Sequence, residues 1–158
     1  MKKIFIILLI SVFYPLKSFG LIEVDITRGN LNPLPLAVSP LSIDEESRNK
    51  FEKILKKKNI GLEISTIVEN NLKISGLFNP LDKDAFLQAP DIANLKPRFE
   101  DWNLIKAQAL ITGKVNYVDD KLRVEFRLWD VLAAKEMMAL AFTTVPENWR
   151  RVGHIISD

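Results

Sequence analysis

Apolar and polar positions along the chain change period several times, and each change marks an element. Lys2 and Lys3 precede an apolar run from Ile4 to Tyr14 that stops at Pro15. Ile22-Glu23-Val24-Asp25-Ile26 then alternates apolar and acidic residues, the period of a strand with one wet face. Turn formers from Thr27 to Pro33 separate it from a second strand-like stretch, Leu34 to Leu41. Pro35 and Pro40 cannot donate to a ladder, which argues for an edge or irregular strand there. Ser42 and Glu45 have capping-box spacing for a charged helix reaching Lys58, with Phe51, Ile54 and Leu55 on one side. Lys56, Lys57 and Lys58 would complement the dipole at its carboxyl end. The strongest helical stripe follows: Ile60, Ile64, Ile67, Val68 and Leu72, closed by Ser75 and a left-handed cap at Gly76.

Beyond the cap, Leu77 to Leu81 reads as a short strand, again edge-like because of Pro80. Residues 82–97 read mostly as loop, and Asp101 is placed to cap a short helix carrying Trp102 as a core anchor. A three-strand meander follows: Ala109 to Val118, a tight turn at Asp119-Asp120, Lys121 to Trp129, and Met137 to Val145. Trp149, Val152 and Ile156 recur at helical steps, so a last helix starts after Pro146. It has run only about two turns without a stop signal when the sequence ends, so the expectation is a chain truncated within that helix.

Composition changes this picture in three places. Basic residues, an apolar run and small residues at Ser18 and Gly20 make residues 1–20 a secretory signal peptide, which implies export to a periplasm. The run is shorter than the roughly 20 residues that a membrane helix needs. Removing Lys2, Lys3 and Lys17 lowers 22 basic residues to 19 against 20 acidic, leaving no basic field for nucleic acid. The chain has no cysteine, so a disulfide framework and a thiolate metal site are both excluded. Residues 21–158 are enough for one packed domain.

Catalytic chemistry finds little support. His154 is the only histidine and falls off the apolar stripe of its helix. Asp82, Asp84 and Asp91 lack the spacing of a calcium loop, and Asp119-Asp120 read as turn residues. Nucleophile-elbow, P-loop, dinucleotide and zincin motifs are absent from the sequence. No cofactor or metal is expected.

Four separated stretches, in order, carry a resemblance: SGLFNPLD, DWNLIKAQALITGKV, VEFRLWDVLAAKEM and NWRRVGHIISD. Together they resemble the amino-terminal domain of the TolB family, the periplasmic component of the Tol-Pal system, over residues 21–158. The resemblance implies an α/β domain: a mixed five-stranded sheet with two main helices on one face. It further implies a noncatalytic scaffold that couples inner-membrane TolA to the outer envelope in cell division and is exploited in bacteriocin import. The mature amino terminus would be the TolA-binding strand, comprising Leu21, Ile22, Glu23, Val24, Asp25, Ile26 and Thr27. Such a strand can add to an exposed sheet edge through main-chain hydrogen bonds. Pal binding belongs to the family's β-propeller, of which this sequence has no repeat, so Pal is a partner only if a propeller follows. Residues 43–61 read as a charged surface insertion. Two alternatives stay open: a remnant without coupling activity, and a periplasmic hydrolase using carboxylates.

Overall fold

The computed structural model describes residues 32–158; the signal peptide expected at residues 1–20 and the strand expected at Ile22–Ile26 lie outside the described residues. Six strands form one mixed sheet: β1 (Leu34–Val38), β2 (Ser42–Ile43), β3 (Phe78–Pro80), β4 (Ala109–Val118), β5 (Lys121–Asp130) and β6 (Lys135–Thr144). Five run in the order β3-β1-β4-β5-β6, and β2 adds a two-residue parallel pair to β4. β1 is parallel to both β3 and β4, whereas β4, β5 and β6 form an antiparallel meander. Asp119 and Asp120 both take positive φ at the β4–β5 turn, as a two-residue hairpin demands.

The helices are α1 (Glu45–Leu55), α2 (Ile60–Ile74), α3 (Pro90–Leu95), α4 (Phe99–Leu104) and α5 (Trp149–Ser157). The two main helices, α2 and α5, lie on the same sheet face, as the resemblance implies, and α1 joins them. There Ile60 and Ile64 of α2, Trp149 and Val152 of α5 and Phe51 of α1 close over Val115, Leu122 and Val124. Val68 and Leu72 extend the layer over Leu36, Val38 and Ile111. Each fully buried aliphatic side chain contributes about 1.5–3 kcal/mol. On the opposite face, α4 covers one end of the sheet, with Phe99 and Trp102 packed on Ala37, Leu110 and Trp129.

Several local expectations change. Ser42 does not cap α1, because it is drawn into β2 opposite Lys114 and its hydroxyl donates to the Gly113 carbonyl. Asp44 caps instead, accepting from the Ser47 N–H at 2.8 Å. β1 is an internal strand despite Pro35, whose carbonyl still accepts from the Gln108 N–H. Residues 82–97 include a 3₁₀ turn and α3 rather than being mostly loop. Asp101 lies inside α4, where it pairs with Arg98 and accepts from Gln88. The stretch 43–61 is no surface appendage, since Phe51 and Ile60 are fully buried in the core, although Ile54 faces outward. Gly61 shows why α2 can start where it does: a Cβ there would lie 2.2 Å from the Leu41 carbonyl oxygen. Gly76 takes the left-handed conformation that the cap requires, at φ +73°.

Candidate functional site

The predicted TolA-binding residues, Leu21, Ile22, Glu23, Val24, Asp25, Ile26 and Thr27, lie outside the described residues. The described residues begin just before β1, an inner strand.

The candidate catalytic groups are dispersed. His154 is exposed on α5, and its Nδ1 lies 2.8 Å from the Asn71 amide nitrogen on α2. The same amide donates to Ser157 Oγ, whose hydroxyl in turn donates to the carbonyls of Gly153 and His154. Histidine, asparagine and serine here lace two helices together. The serine proton is directed to backbone oxygen rather than to the histidine. Asp82 accepts from the Asp84 N–H as a turn cap, and Asp91 lies in the first turn of α3. Asp120 accepts from the Tyr117 hydroxyl, and that bond, with some burial and the nearby carboxylates, raises the phenol above its ordinary pKa. No group of three or more His, Cys, Asp or Glu side chains is placed to hold a metal among the described residues.

Asp44 is the most engaged carboxylate. Burial raises its pKa, but hydrogen bonds from the Ser47 backbone and hydroxyl and from Asn116 outweigh this and hold it below the usual value of 3.8. Ser47 Oγ also accepts from the Tyr117 N–H at 2.8 Å, so one carboxylate organises both the start of α1 and its junction with β4. That is structural wiring rather than acid–base chemistry.

The feature that sequence reasoning missed is the outer edge of the meander. Among the described residues β6 pairs only with β5. Met138 and Leu140 are 46% and 48% exposed, and Phe142 is half-buried, stacked on Phe126 with centroids 6.1 Å apart. The alternation was readable, but nothing local says which neighbours a strand will pair with.

These observations define an α/β domain in which Asp44, Asp82, Asp101, Asp120 and His154 serve local structural contacts and whose long outer strand pairs only with β5 among the described residues. Residues 22–137 match the family described as the TolB amino-terminal domain, and the chain belongs to that family. It is 77% identical over 150 residues to the Tol-Pal system protein TolB of Pelagibacter ubique (strain HTCC1062), covering 95% of this chain and 34% of that protein. The chain thus spans about a third of the length of this curated relative. In fold it is similar to the crystal structure of TolB from Acinetobacter baumannii, with a TM-score of 0.61 at 20% identity. That likeness covers 80% of this chain and 27% of the other. No helix among the described residues is long and apolar enough to cross a membrane.

Proposed function

We propose that this chain is a noncatalytic, exported scaffold of a periplasmic Tol-Pal system. Leu21 to Thr27, freed by removal of residues 1–20, would be the strand it offers to TolA. The observation that carries the reading is the 77% identity to a Tol-Pal system protein TolB across nearly the whole chain. The alternating sequence Ile22-Glu23-Val24-Asp25-Ile26 supports the strand assignment, since one apolar face can meet a partner sheet while the backbone extends its ladder. Coupling of the inner membrane to the outer envelope, a role in cell division and use in bacteriocin import follow from that contact. Pal becomes a partner where a propeller follows the domain.

Titration calorimetry of residues 21–158 against the carboxyl-terminal domain of TolA tests the assignment, with a variant lacking residues 21–28 alongside. Binding that disappears with the deletion supports the reading. A folded intact protein that releases no heat, or a deletion that binds equally well, overturns it.

A further inference from the structure

Beyond residues 1–20, sulfur occurs in the sequence only at Met137 and Met138, since the chain has no cysteine and its third methionine is Met1. The two are neighbours near the start of β6 and are 62% and 46% exposed. They sit at a break in register. Trp129 lies opposite Glu136 and Leu128 opposite Met138, so Met137 is an extra residue with no counterpart on β5. Met138 heads the row in which Met138, Leu140 and Phe142 lie opposite Leu128, Phe126 and Val124. Neither methionine belongs to the three buried clusters, so a small oxidant reaches both sulfurs without opening the core.

We propose that Met137 and Met138 form a reversible oxidation site for hypochlorous acid, which turns one end of that apolar row polar while the domain stays folded. The site does not depend on the strand proposed at Leu21 to Thr27. Sulfur is the side-chain atom that this oxidant attacks first, and with no cysteine in the chain the two thioethers have no competitor of their class. The sulfur lone pair attacks chlorine, and water then displaces chloride to leave a sulfoxide. Sulfur loses two electrons, chlorine gains two, and one chloride and one net proton are released. The return step needs two thiols, which become a disulfide as the sulfoxide oxygen leaves as water. This chain has no thiol, so an external methionine sulfoxide reductase supplies them. At Met138 the new dipole falls opposite Leu128 and two residues from Leu140, where it weakens the apolar character of the row. Met137 has no opposite residue, so the same change there disturbs no cross-strand pair.

Limiting hypochlorous acid added to the chain after removal of residues 1–20, followed by peptide-mapping mass spectrometry, tests this, with the urea-unfolded chain alongside. Met137 and Met138 are expected to gain oxygen before any of the three buried tryptophans is modified. Their rates should lie within about fivefold of those in the unfolded chain, because susceptibility follows exposure. The oxidised chain is expected to keep its circular dichroism spectrum and to melt within about 4 °C of the parent. Reductases for the two sulfoxide epimers, supplied with a dithiol, should remove both oxygens from the folded chain. On a hydrophobic column the oxidised chain should elute earlier, Met138→Gln should reproduce that shift better than Met137→Gln, and a Met137→Leu, Met138→Leu double variant should elute unchanged after treatment. Oxidation slowed more than about fivefold by folding, prior modification of a tryptophan, or unfolding on oxidation overturns the proposal. So do sulfoxides that the reductases leave in place on the folded chain, and an elution time that oxidation does not change.

Discussion

Replacing Asp44 by alanine removes one side chain and disturbs two junctions. The cap bond to the Ser47 N–H is lost, which costs about 1 kcal/mol, within a range of roughly 0.5–2. Ser47 is 3% exposed, and its hydroxyl loses the acceptor it reaches at 2.7 Å. Stranding such a donor costs about 1 kcal/mol or more. The Asn116 contact is exposed and adds little. The expected loss is about 2 kcal/mol, a large fraction of a total stability of roughly 5–15 kcal/mol. With an m value of about 2 kcal/mol/M, the urea midpoint falls by about 1 M, read by fluorescence of Trp102, Trp129 and Trp149. Asp44→Asn keeps a good capping oxygen and is expected to lose less than about 1 kcal/mol. The pH dependence separates charge from shape. The folded-state pKa of Asp44 is lowered, so its contribution is complete above the ordinary value of 3.8 and fades as pH falls through the lower folded value. That acid-side loss is present in the parent and absent from Asp44→Asn. An Asp44→Ala midpoint within about 0.25 M of the parent, or an unchanged acid limb in Asp44→Asn, refutes the account.

Gly61→Ala places a methyl 2.2 Å from a backbone oxygen of Leu41, which cannot rotate away. Overpacking of this kind costs about 1–3 kcal/mol, and a neutral thermal melt would refute the close approach. Two buried tryptophans differ in their N–H groups: Trp129 donates to the buried Thr112 hydroxyl at 2.9 Å, whereas Trp102 has no acceptor among the described residues and packs edge-to-face on Phe86. Trp129→Phe strands the threonine and Trp102→Phe strands nothing, so the first is expected to cost about 1 kcal/mol more in chemical denaturation, and equal losses count against this.

What the sequence made legible was local and periodic. The α2 stripe, the Gly76 cap, the Asp119-Asp120 turn and the two long strands beside it depend on side-chain spacing and turn chemistry within a few residues. The errors arose where a partner far along the chain decides the outcome. Ser42 had the right spacing for a cap, but β4, some seventy residues later, takes it as a strand, and Asp44 inherits the cap. Pro35 argued for an edge, yet a parallel strand can lose one donor and remain internal, because its carbonyl and its neighbours' N–H groups are still paired. The charged stretch 43–61 read as an insertion because polar residues outnumber apolar ones there, but Phe51 and Ile60 suffice to bind it to the core. The proposed TolA strand falls outside the described residues.

The same distinction between local and distant information bears on function. A catalytic centre needs several groups brought to one point, whereas here Asp44, Asp82, Asp101, Asp120 and His154 each have separate structural partners. A strand-exchange scaffold needs much less: a backbone ladder left open and side chains that alternate correctly on either side of it. Both requirements are periodic, so sequence can encode them cheaply, as in the alternation of the strand proposed at Leu21 to Thr27. On that account, specificity resides in the alternating polar faces, and affinity in the main-chain ladder and the apolar rows.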